Sequence, residues 1–98
     1  MTKIFLGFQQ VILQQMIEKG WKVDLVLLEN NSLSKYVQTT CEEHKIPYKY
    51  IKTMDDILES TLQYNQIDIC IVGGFGVILK NDFIKKCSNI INFHPADV

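Results

Sequence analysis

Residues 67–72, Ile-Asp-Ile-Cys-Ile-Val, form an apolar run that ends at Gly73-Gly74-Phe75-Gly76. The run has the length of a strand, and its β-branched side chains favour an extended backbone. It also lacks strict polar alternation, so both of its faces need cover. That requirement is met by a parallel sheet with helices on either side.

The other segments fit the same plan. Residues 3–6 read as a buried strand stopped by Gly7. Over 9–19, the apolar residues Ile12, Leu13, Met16 and Ile17 follow the three-and-four spacing of a helix face. Lys19-Gly20 then supplies a cation for the dipole's negative end and a residue free to turn left-handed. A second strand at 23–28 is broken by Asn30-Asn31-Ser32. Tyr36, Val37, Thr40, Cys41 and His44 share one helical face, and Ile46-Pro47 stops that helix. A third strand covers 48–51. Thr53 with Asp56 reads as a capping box, and Ile57, Leu58, Thr61 and Leu62 form the stripe of the next helix. A short helix at 81–86 leads to a fifth strand near 90–93.

Strands alternating with helices imply right-handed crossovers. The expected fold is therefore a single α/β unit over residues 1–98, a Rossmann-type parallel sheet in the order 3-2-1-4-5. Ligands bind such sheets at the carboxyl ends of the strands, where the order reverses. Gly7-Phe8-Gln9, Glu29-Asn30, Gly73–Gly76 and Asn92–His94 all gather there.

Composition narrows the function classes. The chain is 47% apolar and 21% charged, which is globular rather than disordered in character. A net charge of −1 with scattered basic residues gives no broad positive field for a nucleic-acid backbone. Cys41, Cys70 and Cys87 are odd in number and lack CxxC spacing, so buried, reduced thiols without a metal role are expected, as in a cytoplasmic protein. No long apolar stretch suggests membrane insertion.

Two motifs carry chemistry. Three glycines within Gly73–Gly76 permit positive φ and can leave backbone groups open to a planar ligand, although a tight turn also needs glycine for its geometry. Asn92 and His94 lie two apart in a strand, so they share a face while Phe93 points to the other. Pro95 ends the strand and biases His94 toward extended backbone. An amide and an imidazole are thereby presented together where the strand opens, with a hydrogen-bonded structural histidine as the alternative. His44 reads as a helix-end histidine. The turn after the first strand lacks both GxGxxG and a phosphate loop, which argues against a dinucleotide. It also lacks the clustered acids of a flavodoxin-like signalling receiver.

Residues 68–79, DICIVGGFGVIL, followed by Ile90-Ile91-Asn92-Phe93-His94-Pro95, resemble the formyl-tetrahydrofolate-dependent formyltransferases. That family includes glycinamide ribonucleotide, methionyl-tRNA and nucleotide-sugar enzymes. Its signature joins a glycine-containing turn and an apolar segment to an Asn-x-His-Pro motif one strand later. Cys41–Pro47 also resembles a family helix that ends before Ile-Pro. The resemblance runs along the whole chain but corresponds to about the first half of the family's catalytic domain.

The resemblance implies transfer of a formyl group from formyl-tetrahydrofolate, as co-substrate, to a primary amine. Asn92 and His94 would be the catalytic pair. Gly74, Phe75, Gly76, Val77, Ile78 and Leu79 would hold the pterin, and Phe8, Gln9 and Asp97 would face the acceptor. His94-Pro95-Ala96-Asp97 is most like the sugar-formylating branch, which implies a nucleotide-linked amino sugar as acceptor. Nucleic acid is implied only for the methionyl-tRNA branch, and a homo-oligomer is compatible with the family. The family's catalytic aspartate lies downstream of Asn-x-His, past Val98, so little turnover by these residues alone is expected. The same correspondence leaves a sheet edge that invites pairing with another chain. The rival reading is a non-catalytic Rossmann-like unit that binds a small ligand or a partner.

Overall fold

A computed structural model of the chain describes residues 1–75 and 79–93. It contains β1 (Lys3–Gly7), α1 (Gln10–Glu18), β2 (Leu25–Leu28), α2 (Ser34–Glu43), β3 (Tyr48–Tyr50), α3 (Met54–Ser60), β4 (Ile67–Gly73), α4 (Asn81–Ile84) and β5 (Cys87–Phe93). The five strands form one sheet in the order β3-β2-β1-β4-β5, and every pairing is parallel. This is the Rossmann-type α/β arrangement, with the order reversing between β1 and β4.

Right-handed crossovers place the helices on opposite faces. On one side Phe5, Val26, Leu28 and Ile71 pack with Leu13 and Met16 of α1 and Val37 and Cys41 of α2. On the other, Ile4, Leu6, Leu27, Cys70 and Val72 pack with Met54 and Ile57 of α3 and Phe83 of α4. Phe5, Leu13, Ile57 and Phe83 are fully buried, each contributing roughly 1.5–3 kcal/mol of apolar transfer. Two carboxylates fasten the start of β1: Thr2 N–H donates to Asp68 (2.6 Å) and Lys3 N–H to Asp24 (2.8 Å).

Helix ends follow local chemistry. Gly20 is left-handed (φ +82°), and Trp21 N–H donates back to the Met16 carbonyl. α2 stops earlier than its proline suggests, because Lys45 itself takes a left-handed turn (φ 57°) that lets Ile46 N–H reach the Cys41 carbonyl.

The capping box of α3 is present, with Thr53 accepting from Asp56 N–H. The Asp56 carboxylate accepts from Lys52 N–H (2.7 Å) and Thr53 N–H (3.1 Å). These backbone donors hold its pKa below the ordinary value. A depressed folded-state pKa means the contribution is complete above the unfolded carboxylate value of about 4 and is lost as pH falls through the folded one. Urea denaturation should show Thr53→Ala costing about 1 kcal/mol at neutral pH. The gap between wild type and Asp56→Asn should close as the solution is acidified below that range.

Several sequence expectations are corrected. Leu62 is 72% exposed, because α3 ends at Ser60 and Leu62 falls in the following turn. The buried row of α2 is Ser34, Val37, Thr40 and Cys41, which leaves Tyr36 and His44 in solvent. α4 ends at Ile84 rather than 86, since Lys86 already accepts from Ile67 N–H and starts the next strand's alignment. β5 accordingly begins at Cys87, and Cys87 is half-buried rather than buried because it lies on an edge strand.

All three cysteines are free. Burial, with the charge of Glu42 added, pushes the Cys41 thiol up to about 12. Hydrogen bonding between Cys70 and Cys87, followed by burial, raises Cys70, and the same bond lowers Cys87. Among the described residues, no helix is long and apolar enough to cross a membrane.

Candidate functional site

The carboxyl ends of β1, β4 and β5 lie side by side. Register pairs Gly7 with Gly73, Val72 with Asn92, and Gly73 with Phe93. Two glycines allow the β1 and β4 ends to approach this closely. A Cβ on Gly7, whose φ is +130°, would lie 2.0 Å from the Gly73 carbonyl oxygen. On Gly74, with φ +76°, it would lie 2.8 Å from the Phe8 ring.

Hydrogen bonds use the same approach. Phe8 N–H donates to the carbonyls of Gly73 (3.0 Å) and Gly74 (3.3 Å), and Gln9 N–H donates to Gly73 (3.0 Å). The two glycine carbonyls are therefore engaged by the chain itself rather than open to a ligand. The Phe8 ring stands over Gly74.

Asn92 is exposed. Paired residues of adjacent strands point to the same face, so Asn92 shares the face of Val72 and Leu6. Phe75, Leu79 and Ile90 pack onto that cluster too. The structure thus brings Asn92, Phe75 and Leu79 to one face at the carboxyl end of the sheet, with Gly74 beside them. Phe93 takes the opposite face with Ile71 and Gly73, as strand alternation requires.

Gln9 belongs to that opposite face. Its Oε1 is buried and has no hydrogen-bond partner among the described residues, and it lies 3.3 Å from where a Gly73 Cβ would stand. Gln10 instead ties α1 to α2, its Nε2 donating to Thr40 Oγ1 at 3.1 Å. Gly76, Val77 and Ile78 of the apolar segment, and His94 and Asp97 of the motif, lie outside the described residues. The engagement of Phe8 was not legible in advance, because it arises where two strand ends distant in sequence meet.

A hollow of about 470 Å³ lies at the opposite, amino-terminal end of the sheet, lined by Trp21, Lys22, His44 and Lys45 among others. Lys22 and Lys45 of this hollow lie in the turns that follow α1 and α2. Among the described residues, no group of three His, Cys, Asp or Glu side chains is placed to hold a metal ion. In comparisons with family models, curated proteins and solved structures, the chain matches none.

Proposed function

We propose that this chain carries the donor-side half of a folate-dependent formyltransferase site, which moves a formyl group from formyl-tetrahydrofolate to the primary amine of a nucleotide-linked amino sugar. The observation that supports it best is the β4–β5 register. Asn92 stands opposite Val72, one residue before the glycine turn, and shares a face with Phe75 and Leu79. A carboxamide there can donate an N–H to a carbonyl oxygen beside an apolar wall suited to a flat ring.

In the proposed reaction the amine nitrogen attacks the formyl carbon, and negative charge builds on the formyl oxygen, where Asn92 donates. The bond from carbon to the folate nitrogen then breaks as the amine's proton passes to that nitrogen. His94 is the group assigned to carry the proton. A downstream aspartate, of the kind the family resemblance implies, completes the acid–base set.

The test is amine formylation from formyl-tetrahydrofolate with candidate amino sugar nucleotides, using a chain extended through such an aspartate. His94→Ala should lower kcat by about 10²–10⁴-fold. A variant that keeps the wild-type rate removes the proton-transfer role.

One observation favours a second reading, a non-catalytic Rossmann-like unit that binds a small ligand or a partner. The Gly73 and Gly74 carbonyls are already bonded to Phe8 and Gln9, so chain packing alone accounts for those two glycines. Donor binding without any formyl transfer, in the extended chain, would select that reading.

A further inference from the structure

The hollow of about 470 Å³ at the amino-terminal end of the sheet lies beside the start of β2, a strand that β1 and β4 separate from β5. Its size falls in the range of small-molecule sites, about 300–1,000 Å³. Trp21, Val23 and Ile46 give it an apolar wall, and Lys22, His44 and Lys45 are exposed on its rim. Among the described residues, none of these three rim side chains has a hydrogen-bond or ion-pair partner. Asp24 is the one carboxylate among the described lining residues, and its Oδ2 is already taken by Lys3 N–H at 2.8 Å. Lys3 Nζ, 5.9 Å from the centre of the Trp21 ring, brings a third ammonium to that wall.

Lys45 is held there against its backbone preference. It is the one non-glycine residue at positive φ (57°) among the described residues. The equivalent position after α1 is Gly20, with φ +82°. Both helices close with the same bond, Trp21 N–H to the Met16 carbonyl and Ile46 N–H to the Cys41 carbonyl. Glycine adopts this conformation freely and a residue with a Cβ does not. The turn after α2 therefore gives up stability that the turn after α1 keeps. The helix dipole does not ask for this lysine, because a cation acts on it from within the last turn and neither helix has a basic residue there. Backbone strain of this kind concentrates at ligand sites.

We propose that this hollow is a ligand site for a small phosphate monoester with a flat aromatic body, the ring against Trp21 and the phosphate held by Lys22 and Lys45. Each ammonium offers three N–H donors, and a phosphate monoester returns three acceptor oxygens and more than one negative charge. A carboxylate has two oxygens and a single charge, which leaves one of the two lysines unmatched. That difference sets this ligand apart from a folate, whose only anionic groups are carboxylates. The inference is independent of the formyl-transfer reading.

Trp21 is the chain's one tryptophan, so its fluorescence reads the wall of the hollow directly. Phenyl phosphate should change the emission saturably in the submillimolar range. Inorganic phosphate, phenol and benzoate, which lack the ring, the charge and the second charge respectively, should each bind weaker by about tenfold or more. Lys45→Gly should weaken phenyl phosphate binding by about tenfold and raise Tm, since it removes the charge and relieves the backbone together. Lys45→Arg, which keeps the charge, should bind within a few-fold of wild type. Lys22→Gln should weaken binding by a factor similar to Lys45→Gly. An emission that does not respond to millimolar phenyl phosphate, phenol or benzoate binding as tightly as phenyl phosphate, or Lys45→Gly binding as tightly as wild type would each overturn the proposal.

Discussion

Gly7→Ala should destabilise the fold by about 3 kcal/mol or more, with a fall in Tm of roughly 4–8 °C per kcal/mol. Two costs combine. The backbone at Gly7 has φ +130°, a conformation that costs a side-chain-bearing residue about 1–3 kcal/mol. The added methyl would also lie 2.0 Å from the Gly73 oxygen and 2.5 Å from its carbonyl carbon. Both contacts are backbone, so the ends of β1 and β4 must part, and the bonds from Phe8 and Gln9 to Gly73 stretch with them. Overpacking of that kind adds about 1–3 kcal/mol. Gly20→Ala is the control: its φ is +82°, but nothing lies within 4 Å of a Cβ there. It should lose about 1 kcal/mol, from conformation alone. Equal losses in urea denaturation would mean that the two strand ends do not approach as described.

Asn92→Ala should separate activity from stability. The side chain is exposed on an edge strand, so its removal should change unfolding free energy by no more than about 0.5 kcal/mol. On the proposed mechanism it removes a donor to the developing oxyanion, which costs about 10²–10³-fold in kcat. Asn92→Asp is the sharper comparison. It keeps the size of the side chain but supplies no N–H and places a negative charge beside the oxyanion, so it should be at least as slow as alanine. Formyl transfer measured in the extended chain checks both variants. Activity within a few-fold of wild type in either would remove Asn92 from the chemistry.

Much of the scaffold was legible in the sequence because local rules and topology agreed. The apolar run before Gly73 required cover on both faces, and right-handed crossovers then left little choice of strand order. Lys19-Gly20 and Thr53 with Asp56 marked helix boundaries through chemistry contained within a few residues. Features that depend on distant contacts were harder. Leu62 continues the apolar spacing of α3, but the helix has already ended, and spacing alone does not show this. β5 starts at Cys87 because it aligns on Ile67, a pairing that local propensity around Ser88-Asn89 does not suggest.

For the site, alternation along β5 puts Phe93 on the face opposite Asn92, and packing onto the Leu6 and Val72 cluster puts Phe75 and Leu79 on Asn92's side of the sheet. The glycine turn admits either a ligand or a tight turn from sequence alone, and two of its carbonyls serve Phe8 and Gln9. Glycine reports that the backbone needs room, and it does not say whether the visitor is a ligand or the protein itself.

The central claim is that the carboxyl end of β4 and β5 receives a folate on the face that carries Asn92. Amide chemical shifts of the isotopically labelled 98-residue chain, titrated with a stable formyl-folate analogue such as 5-formyltetrahydrofolate, test it most directly. The account predicts saturable shifts at Gly74, Phe75, Leu79 and Asn92, while Trp21 and Lys45 at the far end of the sheet stay still. Saturable shifts centred on Trp21 and Lys45, or an unmoved spectrum from a folded chain at millimolar ligand, would contradict it.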